Sequence, residues 1–140
     1  MTPFSAWHYE KNLEAPLHWR KTRIVQLVPD TFHEALPDEA IDRIFARMAL
    51  CPQHTFLVLT KRAGRMREYV GGHQHGRVCD VAAAVRGGVH DSAPFPLPNV
   101  WLGVSVEDQK TADERIPLLL RTPAAVRFVS AEPLLGPIDF

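Results

Sequence analysis

NVWLGVSVEDQKTADERIPLLLRTPAAVRFVSAEP, residues 99–133, decides the fold class. It reads as strand, helix, strand. The runs WLGVSV (101–106) and VRFVSA (126–131) are near-continuous apolar segments. That pattern belongs to parallel strands covered on both faces. Each run ends in the same kinds of polar residue, Ser105 and Glu107 after the first, Ser130 and Glu132 after the second. In a parallel sheet such ends share one edge, where α/β proteins place their chemistry. Pro117 lacks the N–H that would bond back to Asp113, so the sequence predicts a kink or a second helix there. Ala112, Ile116, Leu119 and Leu120 are expected to face the sheet, and Arg121 to sit near the helix C-terminus.

Upstream, the same module recurs. IVQLV (24–28) reads as a buried strand ended by Pro29-Asp30-Thr31. PDEAIDRIFARMA (37–49) has Pro37 placed for the first helical position and Asp38 and Glu39 in the first turn. Ile41, Ile44, Phe45 and Met48 form one apolar stripe. Cys51-Pro52 closes that helix, because the residue before proline avoids the α region. HTFLVLT (54–60) is a second buried strand, followed by Lys61-Arg62 and a short helix over RAGRMREYV (62–70). Residues 71–98 are rich in glycine and proline around one helical patch, VCDVAAAVR, and read as an excursion within the domain. The expectation is a single α/β domain over 1–140. Four parallel strands near 24–29, 54–60, 99–105 and 125–131 are linked by flanking helices. An open sheet and part of a barrel fit equally well.

Composition narrows the function classes. A length of 140 residues suits one domain but is short of the roughly 250 of a full α/β barrel. Sixteen Lys and Arg balance sixteen Asp and Glu, so no global attraction to nucleic acid or to a membrane surface is indicated. No apolar run approaches the ~20 residues that span a bilayer. The N-terminus lacks the pattern of a signal peptide. Two cysteines without CxxC spacing require no oxidising compartment, so a cytoplasmic protein is expected. GxGxxG, GxxxxGK[ST] and GxSxG are all absent.

The candidate site is the set of polar residues just past each strand. These are Asp30, Thr31 and His33; Thr60, Lys61 and Arg62; Ser105, Glu107 and Asp108; Ser130 and Glu132. Lys61 and Arg62 suit a carboxylate or phosphate, and Glu107 and Glu132 suit ribose hydroxyls or an amine. Against this, surface loops are polar in any case, and Glu107 and Asp108 could simply cap a helix. Asp30 with His33 reads either as an acid–base pair or as turn structure. His73 and His75, with Cys79 four residues on, have a spacing that could ligate a metal. With no fourth ligand in view, they read instead as a mobile polar loop, and no metal site is assigned. The basic stretch Trp19-Arg20-Lys21-Thr22-Arg23 reads as a solvated approach to the first strand or as a phosphate-contacting patch.

Residues 16–66, PLHWRKTRIVQLVPDTFHEALPDEAIDRIFARMALCPQHTFLVLTKRAGRM, and the later segment 99–140 resemble the phage Gp thirty-seven/Gp sixty-eight family. These are phage and prophage proteins without a settled function. LTKR, GVSVED, ADERIPLLL and FVSAEPLLG carry the resemblance. It implies a radical-SAM-like, TIM-type barrel with an N-terminal three-cysteine cluster motif before the equivalent of Trp19 and a further strand past that of Phe140. Cys51 and Cys79 do not occupy the cluster positions. Where the family usually has a Ser-Met-Ser-Asp-like stretch, this chain reads Leu27-Val28-Pro29-Asp30, and only Asp30 carries over. By resemblance, Asp30, Lys61, Arg62, Ser105, Glu107, Ser130 and Glu132 face a bound S-adenosylmethionine or substrate. The resemblance thus implies a barrel truncated at both ends, without an iron–sulfur cluster, catalytically incomplete and at most ligand-binding. Two other readings stand beside it. One is an interaction module that completes its sheet with a second copy or a companion chain. The other is a small nucleic-acid-associated protein using Arg20, Lys21, Arg23, Lys61, Arg62, Arg65 and Arg67.

Overall fold

Alternating apolar strands and amphipathic helices build a four-stranded parallel sheet in the order β1-β2-β3-β4. The computed structural model describes residues 12–28, 30–89 and 93–140. The aromatic N-terminal stretch through Lys11, the expected strand end at Pro29, and residues 90–92 of the Gly/Pro-rich excursion lie outside the described residues. A 3-10 turn, Ala15–His18, leads into β1 (Ile24–Leu27). Then follow α1 (Asp38–Ala49), β2 (Thr55–Thr60), α2 (Ala63–Gly71), α3 (Gln74–Val85), β3 (Val100–Ser105), α4 (Gln109–Leu120) and β4 (Val126–Ser130). Every neighbouring strand pair is parallel. No described helix is long and apolar enough to cross a membrane.

The strand order never reverses. With the right-handed crossovers that βαβ units adopt, this puts all the connecting helices on one face. The register agrees. Val25, Leu27, Phe56, Val58, Val100, Leu102 and Val104 share a face and all belong to or pack on the core. Ile24, Leu57, Leu59, Trp101 and Phe128 share the other face, and none of them packs on that core. Among the described residues, the expectation of a sheet covered on both faces is therefore corrected. Apolar runs look the same whether the second face meets helices or stays open, so the sequence pattern could not distinguish them.

Several local expectations are also corrected. Pro37 is the N-cap of α1, in extended conformation, rather than its first helical residue. Pro117 lies inside one continuous α4, so no second helix starts there. Leu120 points to solvent, while Ala112 and Leu119 are buried. The excursion holds a twelve-residue helix, α3, whose Val78, Ala82 and Ala83 are buried. Its polar start, Gln74-His75, hid the first turn. Gln74 Nε2 donates to the Val70 carbonyl at 2.6 Å, which ties α3 to the end of α2. Buried Asp42 on α1 accepts from Tyr69 Oη on α2 (2.7 Å) and from Arg77 Nε on α3 (2.7 Å), joining the three helices. Asn99 Nδ2 donates to the carbonyls of Met48 (2.9 Å) and Cys51 (3.0 Å), fixing the end of α1 against the start of β3.

Candidate functional site

The carboxyl ends of β1, β2 and β3 meet at an open depression of about 330 Å³. Asp30, Lys61, Arg62 and Ser105 line it, with Leu59 and Gln26 as floor. Each polar group arrives there for a local reason. Asp30 closes an Asx turn after β1, its Oδ1 accepting the Phe32 N–H at 2.9 Å. Its Oδ2 takes the Arg62 guanidinium at 2.9 Å. The Arg62 N–H donates to Thr60 Oγ1 at 2.9 Å, which sets the turn at the end of β2. Arg62 Nε reaches Glu34 at 2.8 Å. This cation lies between two carboxylates, and it holds Glu34 down to about 2. Glu34 in turn raises Arg62 above its ordinary value, with Asp30 adding to the effect.

The second charged corner lies beside β3. Lys61 Nζ sits 2.9 Å from Glu107 Oε1, and Arg115 Nη1 sits 3.1 Å from Oε2. Arg115 Nη1 also donates to the Ser105 carbonyl at 2.6 Å. Two cations thus share one carboxylate. The Lys61 ammonium holds Glu107 below the usual carboxylate range; burial works against it, and Arg115 reinforces it. Glu107 is buried, whereas the Lys61 side chain is 55% exposed. Lys61 is the partner of Glu107 Oε1 and Arg115 that of Oε2. Asp108 is the N-cap of α4, its Oδ1 accepting the Thr111 N–H at 2.9 Å, while Thr111 Oγ1 takes the Asp108 N–H. That Thr111 N–H holds the Asp108 carboxyl below its ordinary value. The two acids therefore divide the work: Asp108 caps the helix, and Glu107 anchors two cations.

Of the seven predicted residues, Asp30, Lys61, Arg62 and Ser105 come together directly, and Glu107 joins them through Lys61. Ser130 is the register partner of Ser105 but does not itself line the depression. Glu132 is exposed, lines no part of the depression, and makes no hydrogen bond or ion pair among the described residues. The reason is chain direction. The backbone after β4 turns so that Leu135 donates its N–H to the Glu107 carbonyl at 2.7 Å. Arg115 and Glu34 were missed from sequence. A signal for Arg115 exists: helical side chains lean toward the N-terminus, so a cation in the second turn after a strand end reaches back to that end. Asp30 and His33 are turn elements, with His33 Nδ1 taking the Ala35 N–H at 3.0 Å.

The thiols and imidazoles lie elsewhere. Cys51 sits in the loop before β2, at the opposite sheet edge, where burial pushes its thiol up. Cys79 lies on α3. The chain's two cysteines do not supply the three thiolates of a radical-SAM-type cluster, so this chain's residues do not fit that group. His73 is the N-cap of α3, and His75 stacks on Phe95 with centroids 4.5 Å apart while its Nε2 meets the Ala93 carbonyl. No group of three His, Cys, Asp or Glu is placed to hold a metal among the described residues. Of the basic residues considered for nucleic acid, Arg65 binds the Phe32, His33 and Leu36 carbonyls and Asp38, and Arg23 lies 4.9 Å over the Trp19 ring.

Comparison with known proteins gives a family match over residues 3–140, to a model described as protein of unknown function (DUF5131). No curated protein and no solved structure matches the chain.

Proposed function

The chain belongs to this DUF5131 family, and from that premise we propose that the strand-end rim binds a small, polar, anionic or zwitterionic molecule and performs no radical chemistry by itself. The observation that carries the reading is the pairing of two unlike corners. Lys61 and Arg115 share Glu107, which leaves a surplus positive charge on a half-exposed ammonium. Asp30 and Glu34 share Arg62, which leaves a surplus negative charge beside it. A ligand with a carboxylate and an amine matches both. The resemblance to radical-SAM-like phage proteins singles out S-adenosylmethionine as the first candidate, with Lys61 toward its carboxylate. The one-sided sheet supports the partial-barrel reading, because barrels keep their helices outside and their sites at the carboxyl ends of the strands. A cytoplasmic setting goes with it, where Cys51 and Cys79 stay reduced.

Calorimetric titration with S-adenosylmethionine tests the reading. Heat of binding is expected from the wild type, and Lys61→Ala should weaken affinity about tenfold or more, since hydrogen bonds to charged groups contribute about 1.5–3 kcal/mol. No heat at millimolar S-adenosylmethionine would remove that molecule as the ligand, and no heat from any small carboxylate would overturn the reading.

One observation favours a second reading, self-association. Neither β1 nor β4 has a second strand neighbour among the described residues, and the open face is apolar. Two copies joined edge to edge would close eight strands, a number whose interior side chains can fill. Measured mass in solution decides it: a dimer supports closure, and a monomer at high concentration excludes it.

A further inference from the structure

We propose that Phe128, lying across Gly103 on the open sheet face, is a stacking platform for a planar ring, so that the site takes a small anion bearing such a ring. This rests on reading the rim as a small-molecule site and specifies the class of molecule. Gly103 and Phe128 are register partners on β3 and β4. A Cβ at Gly103 would fall 2.5–2.6 Å from Cζ, Cε1 and Cε2 of Phe128. The ring therefore occupies the space that any other residue at 103 would fill, and its tip lies directly over the β3 backbone.

The platform adjoins the rim. Gly103 is also the register partner of Leu59, which floors the depression. Ser105, two residues along β3, lines the same depression. Two strand residues span about 7 Å, a separation that a ring with one carboxylate substituent bridges. Trp101, two residues the other way, shares the face and is 37% exposed. Aromatic surface thus sits on one side of Ser105, and the Lys61 ammonium, with its surplus charge, lines the depression on the other. An apolar face alone would not name its occupant. The cation at its end does, because it selects a negative charge joined to a flat apolar body.

The test is a titration of the full chain, followed by NMR, with acetate, benzoate and indole-3-acetate. Both ring acids are expected to bind about tenfold more tightly than acetate and to move the Phe128 and Trp101 resonances. Phe128→Leu should remove about 3- to 10-fold of that preference, the range aromatic pairing supports, and leave acetate binding unchanged. Gly103→Ala keeps the ring but displaces it, and should reduce the preference in the same direction. Lys61→Ala should weaken all three acids. Equal binding of acetate and benzoate by the wild type, or a preference that survives both Phe128→Leu and Gly103→Ala, overturns the platform alone. Absence of any response to all three acids overturns the platform together with the anion-binding rim. A response to the ring acids without one to S-adenosylmethionine removes only that molecule as the ligand.

Discussion

At the scale of single residues, Glu107 joins the end of β3 to the end of β2 and to α4 through Lys61 and Arg115. Its folded-state value lies below the ordinary 4.5. The stability it contributes is therefore complete above about pH 4.5 and is lost as pH falls further toward the lower folded-state value. Urea midpoints measured from pH 7 to pH 3 should fall on the acid side, and Glu107→Gln should flatten that slope. An unchanged slope would mean the carboxylate is not held by its cations. Arg115→Ala removes a partner from both Glu107 and the Ser105 carbonyl. It should cost about 1–3 kcal/mol in denaturant unfolding, the range for buried polar groups left unpaired. Asn99→Ala frees two carbonyls in the same way, at Met48 and Cys51, and a similar loss is expected.

At the scale of elements, α4 holds both a helix-starting device and an unfavourable residue. The Asp108–Thr111 capping box satisfies its first turn, so Asp108→Ala should cost about 1 kcal/mol. Pro117 lies in its interior, where a residue with an N–H would bond to Asp113, so Pro117→Ala should raise the melting temperature by a few degrees. A fall would show that the proline fits a bend the sheet requires. These features also show what the sequence could reveal. The i, i+3, i+4, i+7 stripe in 37–49 located α1 to within a residue, because a period of 3.6 has one apolar solution. The strands were legible from their apolar runs, and their carboxyl ends located Asp30, Lys61, Arg62 and Ser105. Arg115 and Glu34 were not singled out, because their roles depend on contacts eight and twenty-eight residues away in the chain. The first turn of α3 was hidden by polar residues whose partner, the Val70 carbonyl, belongs to another helix. Glu132 lies outside the depression because a pattern fixes where a strand ends but not where the chain turns next.

At the scale of the whole molecule, an unreversed strand order gives the protein two unlike faces. One carries the helices and the core. The other presents Ile24, Leu57, Leu59, Trp101 and Phe128 beneath a charged rim. Polar groups at the rim and apolar groups beneath it form the usual composition of a small-molecule site. The claim that joins these scales is that ligand binds at the carboxyl ends of β1–β3 and is held by Lys61. Mapping amide shifts during titration with S-adenosylmethionine tests it most directly. The account predicts shifts concentrated at Asp30, Lys61, Arg62 and Ser105, and their loss in Lys61→Ala. Shifts centred on the N-terminal sheet edge near Cys51, or a rim pattern unchanged in Lys61→Ala, would contradict it.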